Sequence, residues 1–182
     1  SQDRVFIIDP IDGTRSFVEG STTWAHSIAI AEHGIITAAV VYLPLRDKLY
    51  AAGLGAGATL NGKAIRASAE TRISSATVLA TKPTMIAERW KANATPEFKR
   101  SYRPSLAYRL ALVAEGRFDA MVTLRPSWEW DIAAGALIIT EAGGEISNQA
   151  GRELRFNNAE PLLNGVVAGG AAIHAKLTET LA

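Results

Sequence analysis

Among 182 residues, 19 are Lys or Arg and 18 are Asp or Glu, a net charge of +1 that leaves no bulk field to recruit nucleic acid or a membrane surface. Hydrophobic residues form 48% of the chain, too many for disorder and enough for one sizeable domain or two small, tightly packed ones. Cysteine is absent, which excludes disulfides, thiolate metal sites and cysteine nucleophiles and agrees with a reducing cytoplasm. No apolar run reaches the ~18 residues of a membrane span, and no signal peptide opens the chain.

In chain order, Val5-Phe6-Ile7-Ile8 reads as a buried strand that delivers Asp9 at its C-terminal end. Because this strand begins at residue five, an N-terminal portion is expected to be missing or not shown. Thr14 to Val18 suits a short helical turn stopped by Gly20. Trp24–Ala31 and Ile35–Leu43 read as two strands of a hairpin turning at Glu32-His33-Gly34, and Lys48–Ala52 as a third. Gly53, Gly55 and Gly57 lack the Gly-x-Gly-x-x-Gly spacing that opens a dinucleotide-binding helix, so they predict a bend before a hairpin closed by Asn61-Gly62.

The second half alternates strand and helix: strands over Val78–Thr81, Ala120–Leu124 and Val166–Ala168, helices over Met85–Ala92, Ser105–Glu115, Asp131–Ala142 and Ala171–Leu181. Ser105 stands as the N-cap of its helix rather than as a nucleophile. His26, His33 and His174 fall in a strand, a turn and a terminal helix with no ligand spacing among them.

Two stretches carry chemistry. In Asp9-Pro10-Ile11-Asp12-Gly13-Thr14, Pro10 stiffens a corner that holds two carboxylates close together. Like charges at that range repel unless a cation lies between them, and oxygen ligands suit hard cations such as Mg²⁺. The Gly13 and Thr14 amides can face an anion. The bland alternative is a well-formed Asp-Gly surface turn. The other stretch, Trp128-Glu129-Trp130-Asp131, puts Asp131 at a helix N-terminus, where a plain capping role is the competing reading. Trp130 can shield such a site from water or simply fill core. Together Asp9, Asp12 and Asp131 have the composition of a metal-assisted phosphoryl site.

Asp9-Pro10-Ile11-Asp12-Gly13-Thr14-Arg15-Ser16-Phe17, with Trp130-Asp131-Ile132-Ala133-Ala134-Gly135 and Glu141-Ala142-Gly143-Gly144, resembles the two signatures of the inositol monophosphatase superfamily, which includes 3'(2'),5'-bisphosphate nucleotidases. The resemblance covers nearly the whole chain. Periodicity alone gives only mixed α and β. The resemblance implies the layered αβαβα sandwich of that α/β class, lacking its N-terminal helical segment. It also implies a strand-rich part over residues 1–70 and an alternating α/β part over 71–182, packed as one catalytic unit.

The resemblance further implies a Mg²⁺-dependent phosphomonoesterase with two or three ions, Mn²⁺ being an acceptable substitute, and lithium inhibition. Asp9 would bridge metals with the Ile11 carbonyl beside it, and Asp12 and Asp131 would hold a second ion. The Gly13 and Thr14 amides would bind phosphate, and the Thr14 hydroxyl would orient the attacking water. A homodimer is usual in such families. The family also carries an upstream metal-binding glutamate, whereas none of the eight residues before Asp9 is Glu. An inactive or truncated member that only binds phosphate or metal is therefore the alternative.

Substrate expectations rest on three further positions. Leu124 and then Arg125 stand where inositol monophosphatases place a sugar-binding glutamate, and Pro104-Ser105 replaces a Gly-Ser or Gly-Thr pair. Arg109 stands near a nucleotidase lysine. Ser105, Arg109 and Arg125 are therefore candidate substrate contacts. A guanidinium fork suits a second phosphate, against the alternative of solvated surface charge.

Overall fold

The computed structural model describes residues 4–182. Six strands, β1 (Arg4–Asp12), β2 (Ala25–Glu32), β3 (Ile35–Leu43), β4 (Lys48–Gly53), β5 (Gly57–Leu60) and β6 (Lys63–Ala64), form one antiparallel sheet in sequence order. A short helix, α1 (Thr14–Val18), follows β1. His33-Gly34 and Asn61-Gly62 make two-residue hairpin turns with positive φ at both positions, the geometry that matches strand twist.

The second sheet is mixed. Its strands β7 (Thr77–Ala80), β8 (Lys99–Ser101), β9 (Ala120–Trp128), β10 (Gly144–Ser147) and β11 (Leu162–Gly170) lie in the order β10-β11-β9-β7-β8, with β7 parallel to both of its neighbours. Helices α2 (Leu106–Ala114) and α3 (Glu129–Glu141) lie between the sheets, and α4 (Ala171–Thr180) covers the far side of the second.

Side-chain period explains this layering. In β7, β9 and β11 alternate residues enter different cores. Leu79, Met121, Val166 and Ala168 join the core of α2, α3 and the first sheet, while Val78, Val122 and Val167 meet Ile173 and Leu177 of α4. Every residue of α2 is buried, as expected of a helix enclosed by two sheets. Gly135 lets α2 and α3 approach closely, because a Cβ there would stand 2.6 Å from the Leu110 side chain. The result is sheet, helices, sheet, helix: the expected α/β sandwich without one outer layer. The outer face of the first sheet carries Phe6, Ile8, Ile28 and Leu49, all exposed.

Several expectations need correction. Strand β1 does not stop at Ile8 but runs through a bulge to Asp12. It is an edge strand, where Pro10 can sit without breaking a ladder on both sides. The helix expected over Met85–Ala92 is replaced by three 3₁₀ turns, Lys82–Met85, Ala87–Arg89 and Lys91–Asn93. Ile86 is extended there and Ala92 has positive φ. Strands β8 and β10 were not expected, β9 continues past Leu124 to Trp128, and β11 is far longer than Val166–Ala168. The glycine bend is confined to Leu54–Ala56, since Gly53 and Gly57 belong to strands.

Candidate metal centre

The bulge at the end of β1 turns Asp9 and Asp12 toward the N-terminal turn of α3. One carboxylate oxygen from each of Asp9, Asp12 and Asp131 lies within 4.8 Å of the others. Helix α3 begins at Glu129 with Trp128 as its cap residue, so Asp131 sits in the first turn and is not the N-cap. The Ser27 hydroxyl donates to the Trp130 carbonyl at 3.0 Å and ties this turn to β2. Trp130 stacks on Trp128 with ring centroids 4.7 Å apart.

Each acid is held differently. Asp9 accepts a hydrogen bond from the Ile11 amide at 2.9 Å, a local side-chain-to-backbone bond two residues on. Asp12 is buried, and its Oδ2 accepts from the Ser105 hydroxyl at 2.5 Å and the Ala107 amide at 2.7 Å. Burial pushes the carboxyls of Asp9 and Asp12 above their usual range. Asp131 is pushed up to about 7, by burial first and then by the charges of Asp12 and Asp9 and a hydrogen bond with Asp9. Three carboxylates so close in a poorly solvated corner resist ionising together, because pairs of unit charges near 4 Å repel by about 4 kcal/mol at an effective dielectric of 20. An all-oxygen, multiply anionic donor set of this kind fits a hard divalent cation.

Gly13 has φ +87° and precedes α1, whose first residue is the exposed Thr14. The Thr14 hydroxyl donates to the Ile11 carbonyl at 3.1 Å. A Cβ on Gly13 would stand 3.1 Å from that of Ser105, so the corner and the start of α2 press together. Ser105 caps α2 as expected, accepting from the Tyr108 amide.

Beside the acids lies a hollow of about 670 Å³ lined by Asp12, Gly13, Arg15, Ser105, Arg109 and Arg125 among others. Arg109 is no solvated surface charge: it is 3% exposed, with Tyr102 beneath its guanidinium at 5.6 Å. Its Nη1 is the one buried side-chain polar atom without a hydrogen-bond partner among the described residues. Burial lowers its pKa, while Tyr102 and Asp12 oppose that shift. Arg125 is exposed on the same rim.

Sequence reasoning missed Ser27, the Ala107 amide and Glu129. Glu129 is buried and accepts from the backbone amides of Asn157 and Asn158 and from the Asn158 side chain. Only the acidic pair two residues apart in Glu129-Trp130-Asp131 hinted at it.

The sequence model of the inositol monophosphatase family matches residues 1–182. The chain belongs to the inositol monophosphatase family. It is 39% identical over 162 residues to the Nus factor SuhB of Escherichia coli K12, covering 82% of this chain and 58% of that protein. It is 37% identical over 183 residues to the inositol-1-monophosphatase of Bacillus subtilis 168, covering 96% and 66%. Among solved structures, inositol monophosphate-bound SaIMPase-II superposes with a TM-score of 0.87 at 26% identity, covering 97% of this chain and 69% of that one. The same protein, from Staphylococcus aureus, is also known with 2'AMP bound. This inositol monophosphatase family chain thus spans about three fifths of the length of the first curated relatives it matches.

Proposed function

We propose that this chain carries the catalytic centre of a Mg²⁺-dependent phosphomonoesterase acting on a small anionic phosphate ester, with Mn²⁺ able to substitute. The observation that carries the reading is the convergence of Asp9, Asp12 and Asp131 from two distant parts of the chain. Asp9, Asp12, Asp131 and the Ile11 carbonyl would hold the ions, which when bound neutralise the ester's charge and lower the pKa of an attacking water. Residues 1–70 supply two of the acids and residues 71–182 the third, so both parts act as one catalytic unit.

The chain's own groups have separate tasks in this reading. Gly13 and Thr14 amides take the ester phosphate at the start of α1, where unpaired N–H groups favour an anion. The Thr14 hydroxyl orients the nucleophilic water from a fixed position beside the Ile11 carbonyl. The stacked Trp128 and Trp130 limit solvent at the α3 side. The unpartnered, buried Nη1 of Arg109 favours a substrate with a second anionic group, since such a donor lacks a partner until an anion enters. Arg125 on the rim adds a steering charge. A bisphosphate nucleotide meets this requirement better than an inositol monophosphate.

The deciding measurement compares phosphate release from adenosine 3',5'-bisphosphate and inositol 1-phosphate in Mg²⁺, with lithium as inhibitor. Release from neither in the full-length protein would remove the reading. A second reading, binding phosphate or metal without turnover, draws on the curated relatives that are named as Nus factors rather than phosphatases. Under it the protein binds Mn²⁺ yet hydrolyses no ester.

A further inference from the structure

The contact between Asp12 and Ser105 joins residues 93 positions apart. Ser105 has φ +64° and ψ +119°, a backbone conformation that a non-glycine residue adopts only at a cost. The surrounding contacts enforce it. Gly13 lies so close on one side that a Cβ there would stand 3.1 Å from the Ser105 Cβ, and the Tyr108 amide donates to the Ser105 hydroxyl from the other. With that acceptor position filled, the hydroxyl proton points to Asp12 Oδ2, 2.5 Å away. The Ala107 amide donates to the same oxygen at 2.7 Å. One oxygen of Asp12 is thereby occupied twice, by two donors at the start of α2.

We infer that Ser105 is a positioning residue for Asp12: with the Ala107 amide it holds Oδ2 and so fixes the direction in which the carboxylate faces the other two acids. The inference rests on the metal-centre reading above and goes beyond it, because it moves Ser105 from the substrate side of the hollow to the ligand-orienting side. A ligand that must be straightened by the ion itself binds more weakly than one already held, and outer partners of metal ligands are commonly worth about 10–100-fold in affinity. The strained backbone fits this role, since an ordinary cap needs no such conformation.

Ser105→Gly separates the possibilities. Glycine relieves the positive φ and is itself a tolerable N-cap, so the fold is kept while the hydroxyl is lost. In the full-length protein, Mn²⁺ alone is titrated and followed by electron paramagnetic resonance, with the metal-free melting temperature measured alongside. The expected result is a Mn²⁺ Kd raised roughly 10–100-fold, with little change in metal-free melting. Ser105→Ala keeps the strained backbone and should show the same loss of affinity. In an Asp12→Asn background the Ser105→Gly change should weaken Mn²⁺ binding no further, since the two residues act as one unit. Unchanged Mn²⁺ binding in Ser105→Gly, with a raised KM for the ester, would return Ser105 to the substrate side and overturn the inference. Absence of Mn²⁺ binding in the unaltered protein would instead overturn the metal centre itself.

Discussion

Glu129 and Asp131 stand two residues apart in the same helical turn, yet the fold treats them in opposite ways. Glu129 is buried among three N–H donors from Asn157 and Asn158, so its charge is answered by the protein. At the far end of α3, Glu141 is similarly satisfied by the Gly55 and Gly57 amides at 2.8 and 2.7 Å. Asp131 faces Asp9 and Asp12, with the charges of Arg125 and Arg109 farther off, and its pKa rises to about 7. Carboxylates answered by backbone amides fix loops in place. A carboxylate left to repel its neighbours stores energy that a cation can release.

The contrast can be broken most sharply at the acid corner. Asp12→Asn is expected to lower phosphate release at least ~1,000-fold, the loss of several kcal/mol of charge stabilisation, as read by kcat in Mg²⁺. Retained turnover would remove Asp12 from the site. Glu129→Ala should instead cost about 3 kcal/mol of stability in denaturant titration, because it leaves buried amides without acceptors. If that variant melts like the parent, the division between answered and unanswered acids fails.

Arg109→Leu tests the hollow beside the acids. It should cut kcat/KM for a doubly anionic ester by roughly 10–100-fold while changing a singly phosphorylated one little, the usual worth of a charged hydrogen bond. Equal losses on both substrates would contradict a second-anion role. Asp131 gives the pH test. Its folded-state pKa lies above the unfolded value, so the metal-free fold should lose stability as pH rises toward and through about 7. Mn²⁺ affinity should rise over the same interval, because the bound form requires the carboxylate. The smallest effect is expected from Asp131→Asn, which should raise metal-free stability at pH 8 by about 1 kcal/mol while weakening Mn²⁺ binding, opposite in sign to Glu129→Ala.

Much of this arrangement was legible in the residues. Asp9, Asp12 and Asp131 were recognisable from their motifs, and the two-residue turns at His33-Gly34 and Asn61-Gly62 from their chemistry. Ser105 was readable as a cap because capping is local. Its bond to Asp12 was not, since nothing near Ser105 in sequence reveals what lies across the fold. Arg109 read equally well as a surface charge, and only the packing around α2 shows it enclosed. The turns over residues 82–93 hid behind an apparent helix because the buried Trp90 there is held by an indole bond to the Thr84 carbonyl rather than by a helical face. Strand β9 was cut short at Leu124 because Arg125 and Pro126 look like a loop. Pro126 is tolerated because β7 pairs only with Ala120–Val122, leaving the later part of β9 hydrogen-bonded to β11 alone.

The hydrogen bond from Ser27 to Trp130 spans 103 residues, and the acid corner closes over a comparable length of chain. Loops of that size form late and slowly during folding, after local hairpins and helices are in place. A partly folded chain therefore offers at most the Asp9–Asp12 pair, and under the proposed metal-centre reading tight capture of a cation is expected only of the finished molecule. Added Mn²⁺ should slow unfolding more than it speeds refolding, with the ion acting as a latch on the last step of assembly.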